Sequence, residues 1–191
     1  MPAAIVEKLA AAPNEPGEEL KMKLTKPIIA LCLIVAASVI RAEPRPDVAN
    51  PAIDMREYLR VSLAAAEHRE TRRLTTAEFM RMSRLPGTVV LDARSREKYD
   101  ELHIRGAINL SFPDLATASL ARTIPDKNTV ILIYCNNNFR NAEGPFPSKL
   151  PSASLNLSTY IALFNYGYRN VYELGPLLDI VGSGLDFVSW R

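Results

Sequence analysis

Thr129-Val130-Ile131-Leu132-Ile133-Tyr134-Cys135-Asn136-Asn137-Asn138-Phe139-Arg140 is the stretch that decides the fold. Val130 to Ile133 is an unbroken apolar, β-branched run without alternation, the pattern of a strand buried on both faces of a parallel sheet. Cys135 ends that run and Asn136 opens a polar loop. The crevice beyond the carboxyl ends of such strands is where open α/β sheets bind ligands, so the thiol is a candidate nucleophile. A second reading is a buried cysteine acting as a small hydrophobe, which is common for free thiols. The polar residues that follow Cys135 favour the first.

Upstream, Thr88 to Leu91 reads as another buried strand, ending in Asp92-Ala93-Arg94. Before it, Thr75-Thr76-Ala77-Glu78 matches a capping box and starts a short helix that turns Phe79 and Met82 inward before Pro86-Gly87. Ser95 to Leu102 reads as a short helix, Ala107 to Leu110 as a strand and Pro113 to Arg122 as helical. Downstream, Asn141 to Ser154 contains Pro145, Pro147 and Pro151 and is not one regular helix. Leu155 to Tyr166 is amphipathic and ends at Gly167 as a left-handed cap, and Asn170 to Leu174 is a further strand. Strands alternating with short helices imply an α/β fold with a parallel sheet covered on both faces. Asp54 to Arg69, with Met55, Leu59, Leu63 and Ala66 at helical spacing, is an N-terminal helical appendage.

The chain begins with export features. Met22-Lys23-Leu24-Thr25-Lys26 is basic, Pro27 to Ile40 is apolar, and Arg41-Ala42 precedes a proline-rich segment, the three parts of a secretory signal. The apolar run falls short of the roughly 20 residues needed to span a bilayer, so a cleaved signal is expected rather than a stable membrane anchor. Residues 1–21 carry Glu7, Glu15, Glu18 and Glu19, which do not suit a signal. The expected organisation is therefore a start at Met22, a signal peptide over 22–42, a tether and helix over 43–72, and one domain over 73–191. This predicts export, to the bacterial periplasm, with Cys135 as the single cysteine left after Cys32 is removed, and so without an internal disulfide partner. The formal net charge of the whole chain is only +2, which argues against nucleic acid as a partner. One cysteine with His68 and His103 makes no recognisable metal ligand set.

The order Leu91-Asp92-Ala93-Arg94, Tyr99, His103-Ile104-Arg105-Gly106-Ala107-Ile108-Asn109, the strand ending at Cys135, and Gly167-Tyr168-Arg169-Asn170-Val171-Tyr172 resembles the rhodanese-like domain. The likeness runs over about Arg73 to Leu174. It implies a three-layer α/β sandwich around a parallel central sheet, and a sulfurtransferase that carries sulfane sulfur as a persulfide on Cys135. Asn136, Asn137, Asn138, Phe139 and Arg140 would form the loop around the sulfur, and no cofactor or metal is implied. The implied partners are a small anionic donor such as thiosulfate and a thiol or protein acceptor. The alternative is a non-catalytic binding or sulfur-relay module of the same fold.

A partly buried thiolate or persulfide needs its charge met, and curled backbone N–H groups with a following helix N-terminus can meet it. Arg140 can either bind the incoming anion or brace the loop. Its separation from Cys135 matches the sulfur-transferring branch and is one residue shorter than in related phosphatases. Asp92 and Arg94 are expected behind the loop, as its orienting pair or as a structural ion pair, and His103 as an architectural residue. Four departures from the family pattern stand out. Asn138 occupies a position where Gly is usual, Leu102 precedes the histidine, Gly175-Pro176 follows the last strand, and the 141–154 segment delays the next helix. That segment is expected either to move the helix away from Cys135 or to fold over it as a lid, with Phe139 or Phe146 shielding the sulfur and Lys149 supplying charge.

Overall fold

The structure, a computed structural model, describes residues 48–190; the segments assigned to the start of translation and to the export signal lie outside the described residues. From Asn50 onward the chain forms one unit. Its elements in order are α1 (Met55–Arg69), β1 (Arg73–Leu74), α2 (Thr76–Ser83), β2 (Val89–Asp92), α3 (Arg96–Glu101), β3 (His103–Ile104), β4 (Ile108–Asn109), α4 (Thr117–Thr123), β5 (Ile131–Tyr134), β6 (Phe139–Arg140), α5 (Leu155–Asn165), β7 (Val171–Leu174), β8 (Leu178–Asp179) and β9 (Phe187–Val188). Among the described helices none is long and apolar enough to cross a membrane.

Five strands make a wholly parallel sheet in the order β1-β7-β5-β2-β4. The central place of β5 explains its unbroken apolar sequence, because alternate side chains enter different cores. Ile131 and Ile133 pack with Leu120 of α4, Tyr160 and Leu163 of α5 and Ala65 of α1. Leu132 and Tyr134 pack on the other side with Phe79 of α2 and Tyr99 of α3. The result is the expected three-layer sandwich. Local signals act as read: Thr75 and Glu78 form a reciprocal capping box, and Gly167 takes φ 92° just after α5, a conformation that favours glycine.

Helix α1 forms where the spacing places it, but it does not pack through its most apolar stripe. Its buried residues are Val61 and Ala65, while Met55, Leu59 and Leu63 are exposed. Rotation is set by partners far away in sequence: Arg69 donates to the Glu173 carboxylate on β7, and His68 Nδ1 lies 2.7 Å from the Tyr160 hydroxyl on α5. Those contacts make α1 part of the same folded unit.

His68 gives α1 docking a pH dependence. Burial, then the charges of Arg72 and Arg169, holds its pKa below the ordinary 6.5. The unfolded chain therefore takes up this proton first, so stability is full above pH 6.5 and falls as pH drops from there toward the lower folded value. Denaturant melts at pH 8 and pH 5 are expected to show a loss on acidification that is smaller in a His68→Gln variant.

Candidate functional site

Cys135 follows β5 at its carboxyl end and is 1% exposed. Its N–H donates to Asn138 Oδ1 at 2.9 Å, and its carbonyl accepts from the Asn138 N–H at 3.2 Å. These bonds close a short 3-10 turn over Asn136–Asn138. The sulfur itself lies 3.4 Å from the hydroxyl of Ser154. Ser154 is the N-cap residue of α5 and its side chain makes no capping bond, which leaves the hydroxyl to the sulfur.

The 141–154 segment therefore does not carry the next helix away from Cys135. It returns the N-terminus of an 11-residue helix to the thiol, where the helix dipole and a hydroxyl both favour negative charge. The following helix N-terminus expected beside the sulfur is therefore in place.

The three asparagines face different parts of the molecule. Asn136 is buried, and its Nδ2 donates to the Pro147 carbonyl at 2.8 Å. Asn137 makes a two-way bond with the Lys149 main chain, at 2.8 and 3.2 Å. Asn138 Nδ2 donates to the carbonyls of Leu174 and Pro176, while its Oδ1 also accepts from Asn156 at 3.1 Å. Together they fasten the 141–154 segment and the end of β7 around Cys135, which accounts for its burial. Asn138, at the position where Gly is usual, stands in the 3-10 turn without a positive φ; among the described non-glycine residues that conformation falls on Asn141, with φ 60°.

Phe139 and Arg140 part company after the turn. They form β6, which pairs with β8, and successive residues of a strand point to opposite faces. Phe139 enters the core against Tyr134, Phe146 and Phe187. Arg140 is left outside, its side chain 64% exposed and its Nε 3.8 Å from Asp179. The guanidinium thus sits with β8 rather than closing the turn over the sulfur.

Asp92 and Arg94 form a buried pair behind the site. Arg94 donates through Nε and Nη2 to Asp92, with Nη2 to Oδ2 at 2.6 Å, and also reaches the carbonyls of Pro145 and Leu102 at 2.8 and 2.7 Å. Its plane lies 4.0 Å from the centre of the Phe146 ring. Tyr134 donates its hydroxyl to Asp92 Oδ2 at 2.6 Å. Burial, followed by the Asp92 charge, raises the pKa of Tyr134 well above its ordinary value, so it remains a donor. The pair therefore joins β2, β5 and the segment that covers Cys135. His103 is buried; its Nδ1–H donates to the Tyr99 carbonyl at 2.7 Å and its Nε2 accepts from the Trp190 indole at 3.1 Å.

Sequence reading missed Ser154, Asn156, Arg69 and Glu173 as neighbours of the site. A serine directly before the apolar α5 was the one local signal available, since serine is favoured at helix starts.

A parallel sheet with a cysteine beyond its central strand, facing a helix N-terminus, defines an α/β protein with a thiol-centred site. The family model described as Rhodanese-like domain matches residues 75–174, and the chain belongs to that family. It is similar to the thiosulfate sulfurtransferase PspE of Escherichia coli (strain K12), 37% identical over 90 residues that cover 47% of this chain and 71% of that protein. Among solved structures it is similar to the rhodanese-like domain of an Anabaena sp. protein, at 20% identity and TM-score 0.45, covering 62% of this chain and 79% of that one. A rhodanese with anions from E. coli is 26% identical with TM-score 0.37, covering 53% and 98% respectively.

Proposed function

We propose that the protein is a sulfurtransferase carrying sulfane sulfur as a persulfide on Cys135, with thiosulfate or a similar anion as donor. The observation that carries the reading is the Cys135 sulfur 3.4 Å from the Ser154 hydroxyl at the start of α5. A hydroxyl and a helix N-terminus at that distance can donate to the negative charge that the sulfur carries during transfer. The thiol first loses its proton to solvent. The thiolate then attacks the outer sulfur of thiosulfate, a new S–S bond forms, and the bond to the sulfonate breaks, with sulfite leaving on the bonding pair. The persulfide keeps the negative charge, and a nucleophilic acceptor such as cyanide or a thiolate removes the outer sulfur and restores Cys135. Mass spectrometry after thiosulfate treatment tests this: a gain of one sulfur atom, reversed by cyanide, is the expected result.

The relative named for thiosulfate transfer supports the reaction class. The near-complete burial of Cys135 favours a second reading, a binding or sulfur-relay module, and an intact fold with no sulfur gain would select it.

Ser154 provides a finer test. Ser154→Ala removes the polar neighbour of the sulfur without altering the α5 capping bonds, because the side chain makes none. Sulfur loading measured by stopped-flow release of sulfite is expected to slow on the order of 10- to 100-fold.

A further inference from the structure

Ser154 also lines a cleft of about 350 Å3, whose walls include Arg69, Arg73, Asn137, Asn156 and Glu173. The cleft meets the site one residue away from the sulfur. Its charge is unbalanced: both arginines bond the same Glu173 carboxylate, Arg69 through Nε and Nη2 and Arg73 through Nε at 3.2 Å. Glu173 is 2% exposed, whereas the Arg73 side chain is 53% exposed, so the cation and not the carboxylate meets solvent. Nη2 of Arg73 reaches only the Gly175 carbonyl, at 3.4 Å, and Nη1 of each arginine has no partner among the described residues. Forked N–H donors carrying one excess positive charge match an oxyanion.

Arg140, the cation nearest Cys135 in sequence, is not among the residues of this cleft and lies beside Asp179. Arg69 and Arg73 stand on α1 and β1, ahead of residues 75–174 that the family model matches. We infer that Arg69 and Arg73, brought by the N-terminal appendage, form the oxyanion-binding edge through which a sulfur-oxyanion donor approaches Cys135. The inference rests on the sulfurtransferase reading for the identity of the donor. Arg69, more deeply placed and doubly bonded to Glu173, positions the carboxylate and holds the edge. Arg73, the more exposed of the two, meets the anion.

The experiment uses Arg73→Gln, which leaves Glu173 paired with Arg69. Thiosulfate titrated calorimetrically into Cys135→Ser protein reports binding without chemistry; adding Arg73→Gln is expected to weaken it about tenfold, with partial recovery in Arg73→Lys. In protein with Cys135 intact, Arg73→Gln is expected to raise KM for thiosulfate by a similar factor with kcat within twofold. Unchanged binding in Arg73→Gln, no thiosulfate binding by the Cys135→Ser protein, or a loss that falls instead on Arg140→Gln or Lys149→Gln overturns the inference. Arg73-dependent binding with no sulfur gain on Cys135 upholds the anion site and removes the sulfurtransferase reading, so the two failures are distinguishable.

Discussion

Cys135→Ser protein is expected to gain no sulfur from thiosulfate and to lose sulfurtransferase turnover by at least 1,000-fold, on the order reported by removal of a nucleophile that acts as one unit with its surroundings. Under the proposed mechanism oxygen cannot replace sulfur, because the carried sulfane would have to leave again from a weak S–S bond. The substitution is nearly isosteric, and a serine hydroxyl can still reach the Ser154 hydroxyl that lies 3.4 Å from the native sulfur. Stability by denaturant titration is therefore expected to stay within about 1 kcal/mol of the parent. A variant that keeps its fold and still loads sulfur would require a different carrier and would end the proposed mechanism. Sulfite release and intact-protein mass together read out both halves of this prediction.

Arg94→Ala is expected to produce the largest loss of stability. Asp92 and Arg94 are both buried, and the guanidinium supplies most of the donors around the Asp92 carboxylate. Removing one member leaves a charge without its partner in the interior, at a cost of about 3–5 kcal/mol. The carbonyls of Pro145 and Leu102 lose their donor in the same step. A melting temperature lower by roughly 10 °C or more follows for a domain of this size. Paired replacement, Asp92→Asn with Arg94→Met, is expected to recover part of the loss by discharging the interior, since the unpaired ion is the costly species. Equal destabilisation in the single and paired variants would show that the hydrogen bonds to the covering segment, rather than the charge, carry the effect.

The sheet was legible because its evidence is local and redundant. The run Val130 to Ile133 could belong only to a strand covered on both faces, and Thr75, Glu78 and Gly167 mark helix ends by chemistry that needs no distant partner. Helix α1 was legible as a helix but not in rotation. Met55, Leu59 and Leu63 make the more apolar stripe, yet Val61 and Ala65 face inward because Arg69 and His68 find their partners on β7 and α5. The same distinction holds at the site. Position and type of Cys135 follow from the strand that precedes it, whereas Ser154 reaches the sulfur across a segment whose path three prolines make irregular. Arg140 shows how a single change of local geometry redirects a side chain: once residues 139–140 extend as a strand, burial of Phe139 commits Arg140 to the outside.

The shelter around Cys135 is assembled from widely separated parts of the chain. Its walls come from Asn138, bound to the Leu174 and Pro176 carbonyls and to Asn156, and from Ser154. During synthesis from the N-terminus, the Cys135 thiol thus emerges well before the groups that enclose it, and β5 must wait for β7 to supply its second neighbour. For that interval the thiol is open to indiscriminate oxidants and to stray disulfide exchange. Completion of the fold is the event that turns a vulnerable side chain into a sheltered one.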